Sequence, residues 1–347
     1  MLAWLGTTWW HWAGFVLCVL VFLALDLGIF HRQAHVVRFR EALAWTAIWV
    51  TLSLSFGLLI APALLEGWTR RESVEFVTGY IVELSLSMDN VFVMALIFAY
   101  FRVPAQYQHR VLFWGIMGAL VMRGVMIGAG AALVRQFIWT LYLFGAFLVV
   151  TGFKMLVARD EGVHPEKNWG VRAAGRWFPV SAQFDGQRFT TIRDGRRMLT
   201  PMALVLLMVE TTDLVFALDS IPAIFGVTRN AFIVFTSNVF AILGLRSLYF
   251  VLANMIAYFR YLKVGLSLVL VFIGAKMLLD PHQHPPLWFQ VEISTNMSLA
   301  IVAAIILTSI AFSITSAWGQ SRDEPGQPEP PDQPSTSPPP KPPGHEA

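Results

Sequence analysis

Two acidic stretches lie inside long apolar runs of this 347-residue chain, and they constrain its fold more than any other feature. The first runs from Glu83 to Asn90, and the second runs from Glu210 to Ser220. A carboxylate at the centre of a membrane helix costs about 2.5–3.5 kcal/mol on insertion scales, so five of them cost about 12–17 kcal/mol before any compensation. Membrane proteins keep such groups where they pair with a cation or bind an ion. An intramembrane ion site is therefore the first hypothesis.

The composition is that of a polytopic membrane protein. Hydrophobic residues make up 56% of the chain, mean hydropathy is +0.59, and only 14% of residues are charged, whereas soluble domains average about 25% charged residues. The net charge of +3 comes from loop lysines and arginines, so the basic pI does not indicate nucleic-acid binding. The single cysteine, Cys18, allows neither an intrachain disulfide nor a cysteine-based metal site.

The apolar runs predict an all-α membrane protein with about nine transmembrane helices, each near the roughly 20 residues that a helix needs to cross. The first run has no Lys or Arg before it, so we expect a retained helix and not a cleaved signal peptide. Arg135 alone separates two of the runs, which makes that boundary the weakest. The predicted spans are 9–30, 43–65, 74–100, 111–134, 136–157, 201–225, 231–256, 264–279 and 293–317.

The distribution of basic residues predicts that the N-terminus lies outside and the C-terminus lies inside. Counted over loops and tail in that orientation, 17 Lys and Arg residues lie on the inside. Only four lie on the outside, namely Arg70, Arg71, Arg135 and Arg229. Because cytoplasmic loops carry the excess of Lys and Arg, a bias of this size strongly favours that orientation.

The transmembrane domain is predicted at 1–319, with one sizeable loop and one tail outside the bilayer. In the loop at 158–199, Asp185-Gly186 and Asp194-Gly195 are turn dipeptides beside β-branched stretches. Both a small hairpin and a solvated basic loop fit this pattern. The cytoplasmic tail at 320–347 is rich in Pro, Ser and acidic residues, so we expect it to be disordered.

An internal repeat is visible in the membrane domain. Gly152-Phe-Lys154-Met-Leu156 recurs as Gly274-Ala-Lys276-Met-Leu278, and each copy follows a mid-helix arginine and an acidic helix. Each unit contains three spans, and an odd number forces the two units into opposite orientations, as in the inverted repeats of secondary transporters. Chance similarity between apolar segments is the alternative. The two units are predicted at about 74–157 and 201–279.

The acidic stretches supply hard oxygen ligands, which suit Mg²⁺, Ca²⁺ or Mn²⁺. On a helix, Glu83, Ser87 and Asn90 share one face, while Glu210 and Asp213 share another. The eight histidines all lie in loops, helix ends or the tail, so a dedicated zinc or copper site is not indicated. The candidate metal ligands are Glu83, Asp89, Asn90, Glu210, Asp213 and Asp219. Supporting oxygens are expected from Ser85, Ser87, Thr212 and Ser220.

A purely structural role for the acids remains open, because two arginines lie at membrane depth. Arg123 and Arg246 can neutralise two of the five carboxylates, and the others would still need protons or a bound cation. Asp26 lies near the predicted inner face, where it could be either a cap partner or a group at which ions enter.

Four motifs resemble the TerC family of integral membrane proteins, including its Alx-like branch, which is related to the LysE transporter superfamily. They are Asp26 to Arg32, Glu83 to Asn90, Glu210 to Ala223 and Thr236 to Arg246. The resemblance runs from about 20 to 317. It implies a bacterial inner-membrane protein of metal-ion homeostasis, especially manganese export, with a historical link to tellurium resistance. The family's acidic motifs fall on the six candidate ligands.

The resulting hypothesis is a divalent-cation exporter, most consistent with Mn²⁺, that works by alternating access and uses no cofactor. The sequence contains no Gly-x-x-x-x-Gly-Lys-Ser/Thr nucleotide-binding loop, so any energy would come from ion or proton gradients. One rival is a membrane scaffold or assembly factor in metal or tellurite resistance. The other is an intramembrane enzyme, which is disfavoured because the spans contain no nucleophile–base pair.

Overall fold

The protein is a bundle of α-helices with one small β-hairpin. The computed structural model describes residues 8–25, 39–157, 168–193, 195–253, 262–281 and 290–323. The predicted site residue Asp26 and the tail beyond Asp323 lie outside these ranges. The helices are α1 (Trp9–Leu25), α2 (Phe39–Ser55), a π-helical turn (Phe56–Ile60), α3 (Ala61–Leu64), α4 (Arg70–Tyr100), α5 (Ala105–Gln136), α6 (Trp139–Val157), α7 (Trp169–Trp177), α8 (Pro201–Phe225), α9 (Ala231–Ala253), α10 (Leu262–Leu279) and α11 (Thr295–Asp323). The strands are β1 (Thr190–Arg193) and β2 (Arg196–Leu199).

Within the described ranges, seven helical segments are long and apolar enough to cross a membrane. The predicted all-α membrane fold is confirmed, while the exact number of nine spans is not. The predicted first span corresponds to α1, whose apolar part is shorter than the other candidates. The seven segments are Phe39–Leu64, Arg70–Tyr100, Ala105–Gln136, Trp139–Val157, Pro201–Phe225, Ala231–Leu252 and Thr295–Ser313.

Helix α4 is a single element of 31 residues. It begins at a capping box, in which the Thr69 side chain accepts from the Arg71 amide while Glu72 accepts from the Thr69 amide. Near residue 135, α5 and α6 are separate helices, because Phe137 has an extended backbone between them. The predicted separation of the two runs near Arg135 is confirmed, although α5 continues through Arg135 and the break lies at Phe137.

Three apolar clusters fill the interior, and α4, α5 and α9 contribute to all of them. Helix α8 contributes to two, through residues such as Ile221 and Val209. Large apolar side chains also cover the outside of the bundle, where Val121, Val125 and Leu307 are each more than 60% exposed. Because such residues would be unfavourable in water, this surface fits contact with lipid.

Helices α6 and α10 cross in an antiparallel arrangement with their backbones in contact. A Cβ atom added to Gly274 would lie 2.7 Å from the Gly145 carbonyl oxygen and 2.9 Å from the Val149 amide nitrogen. A Cβ atom added to Gly152 would lie 2.9 Å from the Ser267 carbonyl oxygen. Small residues permit this close approach between membrane helices.

Replacing Gly274 with alanine should destabilise the protein, because the new methyl group has no room against the α6 backbone. Overpacking of this kind costs about 1–3 kcal/mol, so the melting temperature of the purified protein should fall. Gly128→Ala is the matched control, since nothing lies within 4 Å of a Cβ there. Equal melting temperatures for the two variants would show that the crossing is not tight.

The 158–199 loop packs against α8. Strands β1 and β2 form an antiparallel hairpin that turns between Arg193 and Arg196, with Gly195 at φ +73°. The predicted hairpin is therefore confirmed. The loop also contains α7, which the sequence did not lead us to expect. Asn168 caps this helix by accepting from the Gly170 and Val171 amides.

Candidate functional site

Arg123 is the centre of a buried ion-pair cluster that joins three helices. Its side chain is 2% exposed and lies on α5. Its Nη1 donates to Glu83 Oε1 on α4, while its Nη2 and Nε donate to the two carboxylate oxygens of Asp213 on α8, at 2.9 and 3.3 Å. Nη1 also lies 3.3 Å from Ser220 Oγ. This two-pronged contact with Asp213 is the geometry in which guanidinium binds carboxylate best.

Asn90 completes the cluster on the α4 side. In one orientation its Nδ2 donates to Asp213 Oδ1 at 3.4 Å. With the amide turned over, its oxygen accepts from Arg123 Nη2 at 3.3 Å and its nitrogen donates to the Leu86 carbonyl. Both orientations place the amide between the guanidinium and its carboxylate partner. The cluster therefore contains Glu83, Asn90, Asp213 and Ser220 of the predicted set.

The cluster has more negative than positive groups. Glu210 lies one turn before Asp213 on α8, and its carboxylate packs directly on Gly118 of α5, where a Cβ atom would collide with it. Within the described part of the chain, Glu210 has no ion pair or hydrogen bond. Two carboxylates thus pair with one guanidinium, and a third lies one turn away on α8. Such a site favours a further cation over any anion.

The other predicted residues have separate surroundings on α4 and α8. Asp219 is half-buried and faces α6, where Thr151 and Lys154 are close to its carboxylate. Asp89 and Thr212 are also half-buried. Ser87 is buried on α4, whereas the Ser85 hydroxyl donates to the Ile81 carbonyl of its own helix at 2.7 Å.

The second membrane arginine, Arg246, lines a small cavity between α9 and the first two helices, together with Phe22, Ala42 and Trp49. The pairing of an arginine with the acidic stretches is seen at Arg123, which takes two of the five carboxylates.

The six predicted ligands do not form one set in this conformation. Among the residues with described positions, no three His, Cys, Asp or Glu side chains are close enough together to hold a metal ion. Arg123 explains this separation, because its guanidinium occupies the space between Glu83 and Asp213. A bound cation would have to replace or displace that group.

Helix α7 lies beside the acidic part of α8. Asn168 Nδ2 donates to Thr211 Oγ1 at 2.8 Å, and a Cβ atom on Gly170 would collide with the Thr211 methyl group. Thr211 lies between Glu210 and Thr212 in the sequence. Val171 packs on the apolar cluster that includes Val205 and Met208. The loop therefore covers α8 beside Glu210, which neither the hairpin signals nor the basic composition predicted.

A large polar cavity lies at the opposite end of the bundle. Its volume is about 770 Å³, and the N-terminal ends of α4 and α11 and the C-terminal end of α8 surround it. Its wall includes Glu75, which accepts from Arg71 and Thr228, and Lys276, which lies 3.4 Å from the Gly226 carbonyl oxygen. The cavity is bounded by Phe225 and Met277 of the apolar core.

Asn238 on α9 is a polar residue at the core that the sequence analysis did not select. Its side chain is fully buried, and neither amide atom has a hydrogen-bond partner. One oxygen of Glu83 is likewise without a partner. The polar triplet from Thr236 to Asn238 inside an apolar run was the available signal.

Comparison with known proteins identifies close relatives along nearly the whole chain. The model of the integral membrane protein TerC family matches residues 68–317. An uncharacterized membrane protein of Myxococcus xanthus is 49% identical over 307 residues, which cover 87% of this chain and 91% of that protein. The protein Alx of Escherichia coli K12, named a membrane-bound redox modulator, is 42% identical over 322 residues, covering 90% of this chain and 96% of Alx. No solved structure shows a significant match.

Proposed function

The chain belongs to the TerC family of integral membrane proteins, and we propose that it exports a divalent cation, with Mn²⁺ as the preferred substrate, across the bacterial inner membrane. The observation that carries this proposal is the buried ion-pair cluster of Glu83 and Asp213 with Arg123, together with the half-buried Glu210 one turn away on α8. Net negative charge and oxygen ligands within membrane helices suit a hard divalent cation. The choice of Mn²⁺ and the outward direction come from the family resemblance.

In this proposal Arg123 is a built-in counter-cation that holds the carboxylates between transport events. Without the substrate ion, two buried carboxylates would repel each other across the low-dielectric core. Arg123 removes that repulsion by pairing with Glu83 and Asp213. A divalent ion carries twice the charge of the guanidinium, so it can compete for the same oxygens once part of its water shell is lost. Proton binding at the same carboxylates would reset the carrier.

The remaining acids would bring the ion to and from this cluster. Glu210 lies beside the docking point of α7, and Asp219 lies further along α8 towards α6. The polar cavity beyond Phe225 lies in the direction in which α8 continues. An ion moving along α8 would meet Glu210, Asp213 and Asp219 in order before it reaches that cavity.

We place the two three-helix units, about 74–157 and 201–279, in an inverted repeat. The glycine contacts between α6 and α10 support this arrangement, because they are equivalent in the two units. Gly152 contacts Ser267 and Val271, and its counterpart Gly274 contacts their counterparts Gly145 and Val149. The same offset of 122 positions relates all three pairs. In such a plan the substrate site lies between the repeats, and Arg123 joins α4 and α5 of one repeat to α8 of the other.

We also place the N-terminus in the periplasm and the C-terminus in the cytoplasm, because 17 loop and tail cations fall on one side and four on the other. Reporter fusions at Arg176 and after Gln320 should then report the cytoplasm, and a fusion near His284 should report the periplasm. A periplasmic signal at Arg176 would contradict both the orientation and the assignment of the two repeat units.

Transport in sealed vesicles tests the function directly. Inside-out vesicles that contain the protein should accumulate radioactive Mn²⁺ faster than vesicles that lack it, and collapse of the proton gradient should slow the uptake. Mg²⁺ and Ca²⁺ are the competitors to compare. Vesicles with abundant protein and no added uptake of any of the three ions would rule out the carrier.

A membrane scaffold or assembly factor in metal or tellurite resistance is the second candidate. It is favoured by the buried ion pairs of Arg123, which also fit a purely structural role. The redox role in the name of Alx would need another partner here, because the 347 residues contain only Cys18 and no intrachain disulfide can form. Normal resistance in cells, together with inactive vesicles, would favour this candidate.

A further inference from the structure

Asn238 is a buried amide that the protein itself leaves unsatisfied. Its side chain is 0% exposed, and neither Nδ2 nor Oδ1 has a hydrogen-bond partner. The two polar residues before it are satisfied within their own helix, since Thr236 and Ser237 donate to the Phe232 and Ile233 carbonyls at 2.8 and 2.7 Å. The unsatisfied state is therefore specific to Asn238 and not general to this part of α9.

The face of α9 that carries Asn238 contacts all three apolar clusters of the interior. Val234, four residues earlier, packs in the apolar cluster that contains Val82 and Ile127. Leu245, seven residues later, packs in the cluster that contains Val209. Ile242, one turn after Asn238, packs in the third cluster with Phe76, so Asn238 lies where the three apolar clusters meet.

Glu83 supplies a second unsatisfied atom on the neighbouring helix. Ser237 of α9 contacts α4 at Gly79, where its Oγ lies 3.1 Å from the position of an added Cβ atom. Gly79 lies one turn before Glu83 on α4, and Asn238 is the residue after Ser237 on α9. Glu83 is 0% exposed, and while Oε1 binds Arg123, Oε2 has no partner. Two unsatisfied buried polar groups thus lie on adjacent helices at neighbouring levels.

The chemistry of these atoms specifies the kind of ligand that would satisfy them. A buried polar group without a partner costs about 1–3 kcal/mol of folding stability. Without a ligand, leucine at position 238 would therefore give a more stable protein. Glu83 Oε2 and Asn238 Oδ1 accept hydrogen bonds or coordinate a cation, whereas Asn238 Nδ2 needs an acceptor. A partly hydrated divalent cation offers both, because the ion binds the oxygens and a water of its outer hydration shell accepts from the amide.

We propose that Glu83 Oε2 and Asn238 form a subsite for a partly hydrated divalent cation on the α9 side of Arg123. This subsite rests on the proposed transport function and adds a ligand that none of the acidic motifs contains. It would place the ion between α4 and α9, which belong to different three-helix units. Arg123 would keep its contact with Asp213. Because an amide is neutral, the site carries less negative charge than it would with a further carboxylate ligand, which makes release of the ion easier.

The test compares Asn238→Leu and Asn238→Asp with Ser237→Ala as the matched control. Binding of Mn²⁺ to purified protein in nanodiscs is measured from the electron paramagnetic resonance signal of free Mn²⁺, and melting temperatures are measured in parallel. Loss of the amide should raise the Kd by about 10-fold or more, while the melting temperature stays equal or rises. The aspartate variant should bind more tightly than leucine, and Ser237→Ala should match the unmodified protein.

The outcomes separate the subsite from the function. If the unmodified protein binds Mn²⁺ and Asn238→Leu binds it equally well, the subsite is wrong and the carrier stands. If the unmodified protein binds no divalent ion, the proposed function fails and the subsite fails with it. Should Asn238→Leu not fold, Asn238→Asp decides, because an unchanged Kd with a charged oxygen at this position contradicts direct coordination.

Discussion

Arg123→Leu should remove most of the folded protein from the membrane. The substitution leaves Glu83 and Asp213 buried, charged and without their cation. Removing one partner of a buried ion pair costs about 3–5 kcal/mol, which is a large fraction of the stability of most proteins. The measurement is the amount of full-length protein in the membrane fraction, followed by its melting temperature in detergent.

Two further variants test this prediction, one as a control and one that should restore the amount of protein in the membrane. Arg135 is exposed on the same helix, so Arg135→Leu should leave the abundance close to normal. Adding Glu83→Gln and Asp213→Asn to Arg123→Leu removes the unpaired charges and should restore much of the abundance, because neutral side chains are cheaper in the bilayer. Normal abundance of Arg123→Leu alone would show that the ion pairs hold little of the fold.

Neutralising Glu210 or Asp219 should have the opposite pattern, with export lost and protein retained. Neither carboxylate pairs with Arg123, so Glu210→Gln and Asp219→Asn break no contact of the buried cluster. A divalent cation needs negative ligands to offset its lost hydration. We expect the rate of Mn²⁺ uptake into inside-out vesicles to fall about 10-fold or more for each.

Glu66→Gln is the control for these variants, because it removes an exposed acid in the turn between α3 and α4 that does not line the polar cavity. Its uptake rate should remain normal. Uptake at the normal rate in both Glu210→Gln and Asp219→Asn would mean that neither acid lies on the ion path. Loss of abundance in either variant would instead assign that acid to the scaffold.

The sequence predicted the buried acids and one arginine that pairs with them, because charge in an apolar run is visible without a structure. It could not predict which acid reaches Arg123. Glu210 and Asp213 are one turn apart on α8, and only the packing of α5 on α8 places Gly118 under Glu210 and Arg123 beside Asp213. Helix rotation and crossing angle decide such contacts, and neither can be obtained from composition or periodicity.

The features that the sequence analysis missed depended on tertiary contacts. Asn238 is one uncharged residue in an apolar helix, and only its complete burial without a partner distinguishes it from the satisfied Thr236 and Ser237. Helix α7 is short, and its docking depends on the contact of Asn168 with Thr211. The repeated Gly-x-Lys-Met-Leu segment was recognised as a pattern, yet the backbone contact that its glycines permit was not.

That backbone contact determines where the molecule can bend. Helices that meet through long side chains can slide as rotamers change, but α6 and α10 meet at Gly145, Gly152 and Gly274 with no layer of side chains between the main chains. Any displacement at this point would open a gap or force main-chain atoms together, and both are costly in a densely packed interior. The two helices therefore behave as a pivot. In the proposed alternating access, we expect the motion that exposes the carboxylates to each side to take place around this pivot, among the longer helices whose charged side chains can exchange partners.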